Sequence, residues 1–165
     1  MIVLGVDPGI NCTGYGIIET PGKTLAFGTI RPPARAEFAS RLLHVSEKLG
    51  EIIDAYRPEH CAVENIFHAT NARSALVLGH VRGAILLTAL RHGCRVYEYT
   101  ALQIKKAVTG QGRAEKGQVR SMIGILLKIP VTGMAFDSAD ALAAALCHAN
   151  TYRTQTAMRV VERAR

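Results

Sequence analysis

A single α/β domain, a mixed five-stranded sheet with helices packed on it, is the fold the sequence predicts, and three observations predict it. Short strand-like runs occur at five places, the first three separated only by turns, and the later ones alternate with stretches whose apolar residues recur every three or four positions. The length of 165 residues suits one domain with a sizeable core. With 48% hydrophobic and 20% charged residues, the composition excludes a disordered chain.

Each element has its own local reason. Ile2-Val3-Leu4-Gly5-Val6 reads as a buried strand that breaks at the turn Asp7-Pro8-Gly9. Thr13 to Glu19 and Thr24 to Ile30 are two further strands, and Pro21-Gly22 between them predicts an antiparallel hairpin. After Pro32-Pro33, the residues Phe38, Leu42, Val45, Leu49, Ile52 and Tyr56 recur at helical spacing, and Pro58 stops that helix. Cys61 to Glu64 is a short central strand. A second helix starts near Thr70 or Asn71 and runs to about Arg91, with Leu76, Gly79, Gly83, Leu86, Leu87 and Leu90 on related faces. Each of its two glycines weakens it by about 1 kcal/mol relative to alanine. Four residues apart, they permit close packing against the sheet or a second subunit. Arg95 to Tyr99 is the fifth strand, and helices are expected over 101–108, 115–127 and 137–150. The domain is expected to span 1–152, followed by an arginine-rich tail at 153–165.

Charge is unevenly spread. Residues 1–70 carry 6 lysines and arginines against 8 acids, whereas residues 71–165 carry 14 against 5. A basic second half points to a polyanionic partner, nucleic acid before anionic membrane. No run approaches the roughly 18 apolar residues of a membrane span, and the N-terminus lacks a cationic region, so neither membrane insertion nor a signal peptide is expected. The four cysteines, at 12, 61, 94 and 147, have no metal-ligand spacing and read as reduced, mostly buried thiols of a cytoplasmic protein. The six histidines are scattered singly and are assigned no chemistry.

Four acids stand where chemistry would want them. Asp7 and Glu64 close two strands, and sites in α/β sheets form beyond the carboxyl ends of strands. Asp137 and Asp140, three apart on a helix, lie about 60° from each other around its axis. Together they suit a hard cation such as Mg²⁺ or Mn²⁺. Singly, each has a plainer explanation: an Asx turn at Asp7, an exposed strand end at Glu64, helix-terminus roles for Asp137 and Asp140. The glycine-rich run Gly110 to Val119 opens a helix and offers backbone N–H groups and Lys116 to a phosphate, without Walker A spacing. Phe67, three residues after Glu64, is either an aromatic that stacks on bases or a staple under the following helix.

Asp7-Pro8-Gly9 with Thr13-Gly14-Tyr15-Gly16, Glu64-Asn65-Ile66-Phe67, the 71–79 segment with Arg82-Gly83, Gly112 to Lys116 with Gln118-Val119, and Asp137 to Leu142 follow one another in order. In this the sequence resembles the RuvC family of bacterial Holliday-junction resolvases, in the ribonuclease H-like superfamily, from residue 1 to about 150. Asn65 stands where that family often has Gln or Glu. The resemblance implies a homodimer that nicks opposite strands of a four-way DNA junction symmetrically, leaving 5′-phosphate and 3′-hydroxyl ends. It implies that Asp7, Glu64, Asp137 and Asp140 bind one or two divalent ions, Mg²⁺ with Mn²⁺ as a substitute. Lys105 and Lys116 match lysines near the scissile phosphate, and Phe67 matches an aromatic that stacks near the crossover. A branch-migration motor of RuvA and RuvB is the implied further partner. Arg73, Lys106, Arg113 and Arg120 are added as phosphate contacts on charge and position alone. A related nuclease acting on structured RNA, an actin-like ATP-dependent protein and a purely structural nucleic-acid-binding module are the competing readings. The RNA nuclease would lack the Phe67 turn, the actin-like fold needs more chain, and the structural module leaves four acids unexplained.

Overall fold

All five expected strands form, each within a residue of its expected bounds. The computed structural model describes residues 1–65 and 71–163, the last four by backbone alone. In chain order the elements are β1 (Ile2–Asp7), β2 (Thr13–Glu19), β3 (Lys23–Ile30), α1 (Phe38–Tyr56), β4 (His60–Asn65), α2 (Ala72–Arg91), β5 (Arg95–Thr100), α3 (Ala101–Thr109), α4 (Lys116–Leu127) and α5 (Phe136–Arg163). The sheet order is β3-β2-β1-β4-β5. The meander β1-β2-β3 is antiparallel, with a register shift between Ile17 and Ile18, while β1-β4 and β4-β5 are parallel.

Strand alternation divides the apolar side chains between two cores. Leu4, Val6, Ile17, Cys61 and Val63 face α1 and α2 and pack with Val45, Leu49, Val81 and Ile85. Val3, Ile18 and Ala62 face the other way and pack with residues of α3, α4 and α5. The α5 side is unusually close. A Cβ at Gly5 would stand 1.9 Å from the Ala141 carbonyl oxygen, and one at Gly14 would stand 2.0 Å from that of Asp137. Small residues on both surfaces, Ala141, Ala144 and Ala145 among them, let this helix lie on β1 and β2.

The structure adds detail to α2 and corrects the expected end of α5. The core face of α2 is Val81, Ile85, Thr88 and Ala89, whereas Leu76, Leu87 and Leu90 are each more than half exposed. Nothing lies within 4 Å of a Cβ built on Gly79 or Gly83, so these glycines do not pack on the sheet. The same helix is, by length and composition, apolar enough to cross a membrane, although no unbroken apolar run in it approaches 18 residues; a core face and an outward apolar face on one helix add up to that composition. Finally, α5 does not stop near 150 but continues to Arg163.

The cysteines are free, and Cys61, Cys94 and Cys147 are buried as expected. Two histidines have a structural task that their scattered positions did not announce. His148 Nε2 lies 2.8 Å from His60 Nδ1, and its Nδ1 lies 2.8 Å from the Tyr99 hydroxyl. Burial lowers the pKa of both rings, that of His148 to about 4. The pair is thus a neutral, hydrogen-bonded polar strut that ties α5, through His148, to β4 and β5.

Candidate active site

The geometry of the site follows from strand parity. Val3, Gly5 and Asp7 point to one face of β1, and Ala62 and Glu64 point to the same face of β4, because Gly5 pairs with Ala62 and Val6 with Val63. That is the face α5 covers. Its first turn carries Asp137, whose backbone rests on Gly14, the register partner of Asp7. One turn on, Asp140 meets Lys116 at the start of α4, Nζ to Oδ2 3.3 Å.

These groups act strongly on one another's protons. Burial, then Glu64, Asp140 and Asp137, push Asp7 up to about 8, against the pull of Lys116. Glu64 is raised by burial and by Asp140, partly offset by Lys116 and Lys105. Burial also raises Asp140, which Lys116 and Lys105 hold back. Partial burial works against the Lys116 charge, but Asp140, Asp7 and Asp137 together leave its ammonium above the ordinary lysine value. Among the described residues no three acid, histidine or cysteine side chains already stand in ligating contact. What the fold brings together is a set of four carboxylates, two lysines beside them, and the electrostatic strain of like charges.

The remaining predicted residues are placed more loosely. Lys105 is half-buried on α3 and close enough to lower Glu64 and Asp140. Lys106 and Arg113 are exposed, on α3 and on the loop after it. Arg73 is exposed in the first turn of α2 and, with Ile10, Ser74, Val77 and Leu78, lines a shallow hollow. Arg120 is tied down, donating to the Met134 carbonyl at 3.2 Å and lying 4.3 Å over the Phe136 ring. Phe67 lies outside the described residues. Of the glycine-rich run, Gly110 caps α3 with φ 77°, a conformation in which glycine is unstrained, and the Glu115 N–H donates to the Gln118 side chain at the start of α4.

One group at the site was missed. Cys12, which follows the Asp7-Pro8-Gly9 turn, donates its thiol to Asp137 Oδ2 at 2.9 Å. A lone cysteine has no spacing signature, and only the fold brings it to a residue 125 positions away.

A mixed sheet in this order, with acids at two strand ends and on the covering helix, defines a nuclease of the ribonuclease H-like class. The family model for crossover junction endodeoxyribonuclease RuvC matches residues 3–148. A crossover junction endodeoxyribonuclease RuvC of Citrifermentans bemidjiense is 49% identical, covering 92% of this chain and 93% of its own length. That of Geobacter sulfurreducens is 46% identical, covering 98% and 99%. The structure of Thermus thermophilus RuvC in complex with Holliday junction substrate is 32% identical, with a TM-score of 0.88 over 94% of this chain and 97% of the other. The chain belongs to the RuvC family, the metal-dependent crossover junction endodeoxyribonucleases that resolve Holliday junctions.

Proposed function

We propose that this chain cuts four-way DNA junctions as a symmetric homodimer through a metal centre held by Asp7, Glu64, Asp137 and Asp140. The observation that carries this reading is the crowding of four carboxylates from β1, β4 and α5, with Asp7 held up to about 8. An all-oxygen donor set whose charges repel suits one or two Mg²⁺ ions per subunit, with Mn²⁺ able to substitute. A bound divalent ion supplies Lewis-acid chemistry, lowering the pKa of a water and stabilising charge on a leaving oxygen. The protein's own residues do the rest. Asp7 and Glu64 stand on rigid strands and fix the site's position. Lys116 and Lys105 hold positive charge beside the scissile phosphate, where it offsets charge that builds as the phosphodiester breaks to 5′-phosphate and 3′-hydroxyl ends. Arg73, Lys106 and Arg113 lie exposed and serve as phosphate contacts, while Arg120 reaches DNA only by leaving Met134 and Phe136. Phe67 stacks on a base near the crossover.

A two-fold dimer fits a two-fold substrate, and the outward stripe of α2 is the surface assigned to it. The nuclease domain occupies 1–152, and 153–165 is a basic extension into which α5 continues. RuvA and RuvB are the branch-migration partners in this reading, and the protein works in the cytoplasm without a membrane.

The test is a labelled synthetic four-way junction, incubated with and without Mg²⁺ beside linear duplex and structured RNA. Paired nicks in the junction alone, abolished in Asp7→Asn while junction binding survives, are expected. Junction binding without metal-dependent cutting by the wild type would sink the catalytic assignment, and cutting confined to RNA would move it to the sister nuclease.

A further inference from the structure

The turn between β1 and β2 is fastened at several points, and one of them reaches across the fold. Thr13 Oγ1 donates to the Gly9 carbonyl at 2.7 Å, closing the turn on itself. Arg41 of α1 donates to the Ile10 carbonyl at 3.0 Å and to Asn11 Oδ1 at 2.6 Å. A Cβ on Gly9 would stand 2.3 Å from the Cys12 carbonyl oxygen, so the turn is as tight as its backbone allows. Cys12 is therefore held by its neighbours rather than by the acids. From that fixed place its thiol donates to Asp137 Oδ2 at 2.9 Å. The Asp137 backbone is equally constrained, because a Cβ on Gly14 would meet its carbonyl oxygen at 2.0 Å and its carbonyl carbon at 2.3 Å. Cys12, just before β2, and Gly14, the second residue of that strand, thus hold the same helical residue by its carboxylate and by its main chain. The next residue of α5 is pinned as well, Ser138 Oγ donating to the Gly28 carbonyl of β3 at 2.9 Å.

With the Asp137 backbone fixed, the freedom left to its carboxylate is rotation about its own side-chain bonds. A directional donor on one oxygen removes that freedom. A thiol is a weak donor, so it aims the carboxylate while leaving it most of its charge for a cation. We propose that Cys12 is a positioning residue of the metal centre, its thiol orienting the Asp137 carboxylate toward the site formed with Asp7, Glu64 and Asp140. This rests on the reading of those four acids as the metal site. Groups that hydrogen-bond a metal's ligands typically change metal affinity by 10–100-fold when removed, and a weak donor belongs at the low end.

The experiment compares Cys12→Val, of similar size and without a donor, with Cys12→Ser, which keeps one, and with Asp7→Asn. Mn²⁺ binding to the full-length protein without DNA is read from the loss of the free-ion electron paramagnetic resonance signal. Junction cutting is then followed against Mg²⁺ concentration, and melting in EDTA confirms that each variant is folded. Cys12→Val is expected to weaken Mn²⁺ binding about tenfold and to raise the Mg²⁺ needed for half-maximal cutting by a similar factor. The rate at saturating Mg²⁺ should stay within about twofold, and Cys12→Ser should return both affinities to near wild type. Wild-type affinity in Cys12→Val overturns the proposal, as does equal weakening in the valine and serine variants, which would mark a packing effect. If Asp7→Asn binds Mn²⁺ like the wild type, the four-acid site itself is overturned, and Cys12 with it. Loss in Asp7→Asn with none in Cys12→Val removes Cys12 alone.

Discussion

Asp7 is the residue whose ionisation the fold opposes most clearly. Its carboxyl titrates near 8 instead of the ordinary 3.8, through burial first and then Glu64, Asp140 and Asp137. Between those two pH values the native state keeps a proton that the unfolded chain has released. The stability this group contributes is therefore complete below about pH 4 and is lost as pH rises toward 8, at up to about 1.4 kcal/mol per pH unit. Asparagine at this position has nothing to ionise. In EDTA at pH 8, Asp7→Asn is expected to be more stable than wild type by on the order of 1–3 kcal/mol, with the gap closing toward pH 4. Urea unfolding at several pH values checks this, and a less stable variant at pH 8 would mean that the carboxylates do not crowd. Adding Mg²⁺ should raise the wild-type midpoint and leave that of the variant nearly unmoved. The acids were legible before the structure because strand ends and helical spacing announce positions. Cys12 was not, since only the meeting of the β1–β2 turn with α5 gives its thiol a partner.

At the scale of elements, the site exists because α5 can lie nearly in contact with the backbone of β1 and β2. Gly5 and Gly14 make room for it, and neither stands out in a sequence, where a strand glycine reads merely as a weak strand former. Gly5→Ala would drive a methyl group to 1.9 Å from the Ala141 oxygen and 2.7 Å from the Ala145 nitrogen, both backbone atoms that cannot swing aside. About 3 kcal/mol of destabilisation is expected, measured by denaturant unfolding. Gly79→Ala is the contrast. Within the subunit it meets nothing within 4 Å, and measured on the dissociated subunit it should strengthen α2 by up to about 1 kcal/mol. Equal effects of the two substitutions would contradict the close packing of α5. The element boundaries themselves were readable from apolar periodicity, as α1 illustrates: it runs from Phe38 to Tyr56 and ends at Arg57 in the left-handed region, just before Pro58. Periodicity did not tell which apolar face of α2 was core. Leucines turned toward a partner and leucines turned toward a sheet have the same spacing, and only the packing of Val81 and Ile85 against α1 and the sheet separates them. The far end of α5 was unreadable for the opposite reason, since a helix that leaves the core keeps no apolar stripe to follow.

At the scale of the whole molecule, charge and shape point to the same kind of substrate. Four of the acids gather at the ends of β1 and β4 and in the first turns of α5, while the basic excess lies in the chain after residue 70, which supplies Lys105 and Lys116 beside those acids and Lys106 and Arg113 outside them. A single subunit has one such centre, so paired cuts require two subunits held in fixed relation. The α2 stripe offers the surface for that: Leu76, Leu87 and Leu90 are 63%, 58% and 57% exposed, and Gly79 and Gly83 between them leave the helix backbone open to close approach. In the proposed homodimer a second copy buries this contiguous apolar stripe. Leu87→Glu places a charge in the middle of that stripe without touching the core or the acids. On the proposed dimer, the wild type is expected to sediment as a dimer and the variant as a monomer at the same concentration. Its melting temperature as a monomer should change little, and any residual junction cutting should fall as independent single nicks rather than simultaneous pairs. Supercoiled cruciform DNA distinguishes these, because one nick relaxes the plasmid and reabsorbs the junction, whereas paired nicks linearise it. Linear product made by Leu87→Glu at the wild-type rate would show that α2 does not join the two subunits.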